Sequence, residues 1–384
     1  MYPLRRPSFR SFFMSIPLSE TSGTILQFGT GRFLRSFVDL FVQEINETTE
    51  AFWQVAAIQS TGSERARQLG AGCFHVSIRG ISDHTRVDEM REVRSVSRAL
   101  SAEDQWNDVL DVARRDDTRL IVSNTTESGL SLDVADRERT GRPVSFPAKL
   151  LDVLIARFED GREGLAILPC ELVDRNASIL KELVLRQAKS WKVPDSCMDW
   201  IDGANDWCNT LVDRIVSAPP DDHPLLATDP LLSCAEPFAL WTVATDECLP
   251  IKHPAIQVVD GVLPFSLRKV RILNGAHTAL VARALDHFVT VRETMADRAT
   301  RDWLERLVLD EIVPVVDARV EGAASFAADV FERFENPFLD HRLVDIALHQ
   351  TKKIQTRLMP TYQEYREQFG RSPELLGEIL EGYL

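Results

Sequence analysis

The 384-residue sequence is poor in the features that mark metal proteins, membrane proteins and nucleic-acid binders. Its six cysteines, Cys73, Cys170, Cys197, Cys208, Cys234 and Cys248, form no C-x-x-C pair and no Cys/His grouping at zinc-ligand spacing. Free thiols in a reducing cytoplasm are therefore expected, with no metal. No run approaches the roughly 20 apolar residues that cross a bilayer, so a soluble protein without a membrane partner is expected. Basic residues are in deficit: 44 Lys and Arg stand against 58 Asp and Glu, a formal net charge of −14. That balance argues against nucleic acid as a partner, since such affinity comes from neutralised phosphates. It leaves room for a small anionic ligand, because a local group of Arg and Lys acts at short range against the global charge. Internal repeats and low-complexity tracts are absent.

The stretch Met1–Pro17 carries Arg5, Arg6 and Arg10 and a short Phe12-Phe13-Met14 patch, but no apolar h-region. It reads as a disordered extension, or as sequence upstream of a start at Met14, rather than as a targeting peptide.

What is present is enough chain for two domains. Thr24-Ile-Leu-Gln-Phe28, then Gly29-Thr30-Gly31-Arg32-Phe33-Leu34-Arg35, then a periodic apolar stretch through Ile45 reads as strand, glycine turn and helix. A second strand at 53–59 completes a β-α-β unit of the kind used by doubly wound parallel sheets. Further strands are expected at 74–80, 86–96, 120–123 and 165–168, and a helix over 102–114 capped by Ser101. After Pro264 the texture becomes helical, over 266–286, 300–312, 322–334 and 340–356. The expected division is a Rossmann-type dinucleotide-binding domain over 18–263 and an α-helical substrate domain over 264–384, parted within Pro250–Pro264.

Gly29-x-Gly31 stands where a backbone must approach a pyrophosphate and aim helix amides at it. Leu34 replaces the third glycine of the dinucleotide fingerprint, so a plain tight turn also fits the pattern. The second strand ends Gln59-Ser60-Thr61-Gly62 with no carboxylate for an adenosine ribose, which leaves NAD and NADP both open. Arg65 or Arg67 would suit a 2′-phosphate; a charged pair on an exposed helix explains them equally well.

The second site is Arg268-Lys269-Val-Arg271-Ile-Leu-Asn274-Gly-Ala-His277. At about 100° per residue on an α-helix, with Lys269 at zero, His277 falls at about 80° and Asn274 at about 140°. All three point into one sector, beside Leu273 and Leu280. Apolar surroundings favour a neutral lysine, which suits a general base. A solvated lysine and a satisfied core histidine would give the same spacing. Polar residues also follow apolar strands at Ser123–Gly129, Pro169–Asn176 and Asn209–Arg214, the crevice position of a parallel sheet, where turn formation and capping are the alternative reading.

Together these stretches resemble the polyol-specific long-chain dehydrogenase/reductase family, which includes mannitol dehydrogenases, fructuronate reductases and tagaturonate reductases (altronate oxidoreductases). The resemblance runs over most of residues 24–372. Gln27–Arg35, Ser123-Asn124-Thr125-Thr126-Glu127, Leu168–Leu172 and Arg268–His277 look most like the tagaturonate reductase branch. The resemblance implies a Rossmann-type domain, a mostly helical C-terminal domain, an active site between them, no metal and NAD as cofactor, with NADP not excluded. It also implies roles in hexuronate catabolism in the cytoplasm, as a monomer or small homo-oligomer. By match to the motif K-x4-N-x2-H, Lys269 is the expected acid/base, with Asn274 and His277 positioning the reacting oxygen. Gly29, Thr30, Gly31, Arg32, Phe33, Asn124 and Asp213 are expected at the cofactor. Glu171, Lys353 and Arg271 are expected at the substrate, with Arg268 a further cation.

Two departures bear on the substrate. Where mannitol dehydrogenases have Asp-Asn after the cysteine this chain has Glu171-Leu172, and where they have an arginine eight residues before the lysine it has Asp345. Both point away from a plain polyol. The expected reaction is reduction of a keto-sugar acid, tagaturonate to altronate foremost; mannitol/fructose or fructuronate/mannonate chemistry, or a catalytically silent dinucleotide-binding protein, are the alternatives. Relatives in the branch continue for several helices beyond the segment that matches Leu358–Tyr362, so a shortened C-terminal domain is also expected.

Overall fold

Strand β1 (Gly23–Phe28) is buried along its whole length, the pattern of a parallel strand covered on both faces. In the computed structural model, which describes residues 22–125 and 129–381, it lies in the middle of a six-stranded sheet. The strand order is β5 (Val96–Ser101), β2 (Trp53–Gln59), β1, β6 (Thr118–Ser123), β7 (Ala166–Pro169) and β8 (Asp206–Trp207), and all the pairings are parallel. The chain winds outward on one side of β1, then returns to build β6, β7 and β8 on the other. The reversal falls between β1 and β6, where Phe28 pairs with Ser123. At such a point the connecting loops diverge and leave a crevice beyond the strands' carboxyl ends.

The helix Phe146–Glu159 is buried on nearly every side and packs Leu150, Leu151, Val153 and Leu154 into a core shared with Leu26, Phe28 and Ile121. Two smaller sheets flank this layer. One has the order β10 (Val216–Ser217), β11 (Ser233–Ala235), β3 (Phe74–Ser82) and β4 (Thr85–Val93); the other runs β13 (Ile256–Val259), β12 (Leu240–Ala244) and β9 (Asn209–Asp213). The expected strand over 86–96 is thus two strands in different sheets. The helix expected from 102 starts only at Trp106, because the Ser101 hydroxyl, accepting from the Asp104 amide at 3.3 Å, closes a turn ahead of it.

The chain forms two compact units. One runs to Ile78 and resumes over Glu89–Val262; the other comprises Arg79–Asp88 and the chain from Leu263 onward. The ten residues 79–88, which the expected segment 18–263 included, are the tip of the β3–β4 hairpin. Asp83 and His84 turn it with φ of 50° and 59°, as a tight two-residue hairpin turn requires. Its contacts explain its grouping: Asn336 Nδ2 donates to the Arg79 carbonyl at 3.2 Å, the His84 amide donates to Glu332 at 3.1 Å, and Arg79 and Arg86 lie over the Phe338 ring.

The second unit is helical, and three of its helices contain a π-wound turn: Lys269–Asn274, Leu307–Ile312 and Ile354–Leu358. The second and third are each followed, two residues on, by a proline, Pro314 and Pro360. A proline inside a helix offers no N–H and its ring clashes with the carbonyl four residues back, so the wider i→i+5 pattern takes over upstream. The expected helix over 340–356 is broken into Leu343–Ile346 and Gln350–Lys353, with His349 left-handed at φ 59° between them. Glu311, on the second π turn, accepts from the Leu375 and Leu376 amides at 2.8 Å and so caps the helix Glu374–Leu380. Among the described residues no helix is long and apolar enough to cross a membrane.

Candidate active site

In the first unit, the crevice end of β1 is shaped by its glycines. Gly29 sits at φ +128°, where a Cβ would stand 2.9 Å from Leu34 Cδ1 and 3.1 Å from the Asn124 carbonyl oxygen. Only glycine meets both conditions. Leu34, fully buried, thus occupies the ground that a third glycine leaves open in other dinucleotide turns. Gly31 is the N-cap of the short helix Arg32–Arg35 and offers no side-chain cap. A Cβ on it would meet nothing within 4 Å, so there is open space beside the residue that opens the helix. A pyrophosphate fits such a place, since it brings acceptors and negative charge. Arg32 is exposed, and its charge and that of exposed Arg65 both act on Arg35. Phe33 is half-buried and stacks on Phe37. The buried Thr30 carbonyl accepts from Arg35 Nη1 at 2.6 Å.

Beneath this turn lies a buried polar group: Gln27 on β1, Arg35, and Asp39 on the helix Val38–Thr48. Burial pushes the Asp39 carboxyl up to about 7, and the neighbouring Gln27 side chain and the Arg35 charge offset only part of that. Neither Asp39 oxygen makes a hydrogen bond of normal geometry. Burial also lowers Arg35 to about 10.

Asn124, at the crevice end of β6, donates from Nδ2 to the Cys170 carbonyl at 2.8 Å. Glu171, expected at the substrate, is committed internally. Its carboxylate accepts from the Ser123 hydroxyl, the Thr125 amide and the Thr125 hydroxyl at 2.8 to 3.0 Å. It latches the loop after β6 to the loop after β7, while burial, opposed by those bonds, raises its pKa. Thr126, Glu127 and Ser128 lie outside the described residues. Asn176 ties the same corner from below, donating to the Pro169 and Glu171 carbonyls. Asp213 is buried at the end of β9, in the three-stranded sheet rather than the parallel one. Its neighbour Arg214 reaches the Ser36 carbonyl at 2.9 Å and so joins that strand end to the residue closing the helix Arg32–Arg35.

In the second unit, Lys269 and Asn274 are the first and last residues of a π-wound turn, not part of a regular α-helix. The Gly275 amide donates to the Val270 carbonyl five residues back. An i→i+5 ladder winds wider than an α-helix, so Lys269 and Asn274 fall more nearly on the same side than the about 140° that separates them on an α-helix. The π turn therefore brings the pair together more closely than the expected helix did. His277 follows on the α-helix Gly275–Ala284. It is buried, 4.2 Å from the Phe334 ring and 4.9 Å from the His341 ring. Burial, with His341, Arg333 and Arg357 around it, holds its pKa well below the usual histidine value, although its ring is bonded to the Leu273 carbonyl. Lys269 and Asn274 are each partly exposed.

Arg271, expected at the substrate, is instead a structural contact. It is buried, and its guanidinium donates to Thr361 at 2.8 Å and to Glu364 at 3.1 Å. The Arg268 guanidinium lies over the rings of Phe265 and Phe326. Lys353 is half-buried and donates to the Ile346 carbonyl at 2.6 Å.

The family model described as the mannitol dehydrogenase Rossmann domain matches residues 23–258, and that of the mannitol dehydrogenase C-terminal domain matches 261–380. The chain belongs to the mannitol dehydrogenase family.

Curated relatives within reach of this mannitol dehydrogenase family chain include the altronate oxidoreductase of Halalkalibacterium halodurans. It is 39% identical over 378 residues, covering 93% of this chain and 74% of the relative. That of Bacillus subtilis is 36% identical over 371 residues, covering 92% and 77%. Among solved structures, D-sorbitol dehydrogenase in substrate-free form shares the fold at a TM-score of 0.82, with 19% identity over 96% of this chain and 83% of the other. The Pseudomonas fluorescens mannitol 2-dehydrogenase ternary complex with NAD and D-mannitol follows at 0.72, with 21% identity over 95% and 79%. This mannitol dehydrogenase family member is a nicotinamide-dinucleotide-dependent dehydrogenase that acts on a CH–OH group of a sugar acid or polyol.

Arg333, His341 and Arg357 surround His277, and the last two escaped the sequence reading. Arg357 alone left a signal, since it follows Lys353 by four residues, a spacing that brings side chains together on a helix. Arg333 and His341 come from a separate helix and a loop, and only folding places them there.

Proposed function

We propose that this chain reduces a keto-sugar acid with NAD(P)H, D-tagaturonate to D-altronate being the leading case, and that Lys269 is its general acid/base. The observation that carries the proposal is the π turn that sets Lys269 and Asn274 toward one side of the helix, just before a histidine whose pKa burial holds well below the usual value. Kinship with the altronate oxidoreductases supports the choice of substrate. Gly29, Thr30, Gly31, Arg32 and Phe33, with Asn124 and Asp213, are the residues we assign to the dinucleotide. The open space at Gly31 fits a pyrophosphate, and nothing there distinguishes NAD from NADP.

The nicotinamide supplies hydride when bound. The protein's part is the proton. In reduction, Lys269 Nζ gives a proton to the carbonyl oxygen as negative charge builds on it; in oxidation, neutral Lys269 takes that proton back. The Asn274 amide donates to the same oxygen and holds it in line. His277 has a different task. A neutral imidazole that spends its N–H on the Leu273 carbonyl presents its other nitrogen as an acceptor, so it orients a substrate hydroxyl rather than stabilising an oxyanion. Phe334 against the ring keeps water from that face.

Lys269→Ala is expected to lower turnover about 100- to 10,000-fold, the usual worth of a positioned acid/base, with NADH affinity nearly unchanged in a fluorescence titration. Loss of NADH binding with normal turnover per bound cofactor would overturn the assignment.

A further inference from the structure

Lys353 and Arg357 sit on the helical stretch that runs from Gln350 into the third π turn. Both are half-buried, and the Arg357 charge acts on Lys353. Among the described residues neither pairs with a carboxylate. Lys353 donates to the Ile346 carbonyl, and Arg357 Nη1 donates to the Thr278 hydroxyl at 3.2 Å. Two like charges partly withdrawn from water, each met by one neutral oxygen, cost free energy. Burial accordingly lowers both, with the neighbouring charge adding to the effect on the lysine. Asp345, which acts on His341, is exposed.

The pair also adjoins the proposed chemistry. Thr278, which takes the Arg357 bond, donates its own hydroxyl proton to the Asn274 carbonyl at 2.8 Å. The Arg357 charge acts on His277, and that of Lys353 acts on His341, whose ring stands 4.9 Å from His277. An arginine with one of its five N–H groups engaged keeps a fork for a planar carboxylate, and a lysine adds a point charge.

We propose that Arg357, beside the Lys353 that the family resemblance already places at the substrate, receives the carboxylate of the substrate and so selects a keto-sugar acid over a neutral ketose. This rests on the reading above for the substrate class.

The test compares the wild type with Arg357→Gln, Arg357→Lys and Lys353→Gln. Two quantities are measured: calorimetric binding of gluconate, a non-reducible sugar acid, and kcat/KM for tagaturonate relative to neutral tagatose. Arg357→Gln is expected to weaken gluconate about 30-fold and to lower the charged-to-neutral ratio by a similar factor, as loss of a hydrogen bond to a charged group implies. Arg357→Lys recovers part of both, and NADH affinity does not move. Equal losses for charged and neutral substrates, or no change in gluconate binding, would overturn the proposal. Should Arg357→Gln fail to fold, Lys353→Gln is read by the same two quantities with the same criteria. A wild type that binds gluconate through Arg357 yet reduces no keto-sugar acid would sink the substrate reading and leave the anion site standing. Turnover of tagaturonate that no variant alters would do the reverse.

Discussion

Replacing Asp39 by asparagine should stabilise this protein, and do so more as the pH rises. Asp39 is fully buried beneath the glycine turn, without a hydrogen bond of normal geometry, and its pKa rises from 3.8 to about 7. At about 1.36 kcal/mol per pH unit, that is roughly 4 kcal/mol of preference for the neutral acid. The sign follows from which state holds the proton. Below about pH 4 the folded and unfolded chains are both protonated there. Between about pH 4 and 7 the unfolded chain releases the proton and the folded one keeps it, so the Asp39 contribution falls as pH rises. Above about pH 7 the folded carboxyl ionises as well and the loss levels off. Asparagine is neutral throughout. In urea unfolding monitored by tryptophan fluorescence, the advantage of Asp39→Asn over wild type should therefore grow by about 3 kcal/mol between pH 5 and pH 8. A difference that stays flat with pH would refute the reasoning. So would a wild type that gains on the variant as pH rises, because that is the behaviour of an ionised Asp39 paired with Arg35.

The remaining predictions concern the crevice loops. Gly31→Ala should fold with a Tm close to wild type, since its Cβ meets no protein atom within 4 Å, yet lose at least tenfold in NADH affinity because the methyl enters the space assigned to the pyrophosphate; unchanged affinity would move the cofactor elsewhere. Gly29→Ala should instead lose stability, by about 1–3 kcal/mol for a non-glycine residue at positive φ, with clashes at Leu34 and Asn124 adding to it; a thermal melt decides. Glu171→Gln should cost about 1–3 kcal/mol in a denaturant titration, by weakening the latch to Ser123 and Thr125, and should raise KM for NADH rather than for the sugar acid alone.

The first unit was legible because its signal is local. A largely apolar strand, a Gly-x-Gly turn and an amphipathic helix follow one another between Gly23 and Thr48, and no distant contact is needed to recognise them. The latch made by Glu171 was not legible, because a carboxylate after a parallel strand reads as a crevice ligand until its partners across the next loop are seen. The second unit was legible as helical but not in its winding. A period of 3.6 residues, laid over Lys269–His277, misses the π winding and so gives the wrong angle between Lys269 and Asn274. Pro314 and Pro360 were the available clue to two of the π turns; the first, ending at Asn274, left none. Arg271 was misassigned for the same reason as Glu171. A basic residue in the catalytic motif looks like a ligand for substrate, and its partners Thr361 and Glu364 lie about ninety residues on.

Whether this dehydrogenase acts on a keto-sugar acid is decided by NADH consumption with tagaturonate, fructuronate and fructose side by side. Turnover is expected with the two keto-uronates, tagaturonate the faster, and a kcat/KM at least tenfold lower for fructose. Activity confined to fructose would contradict it.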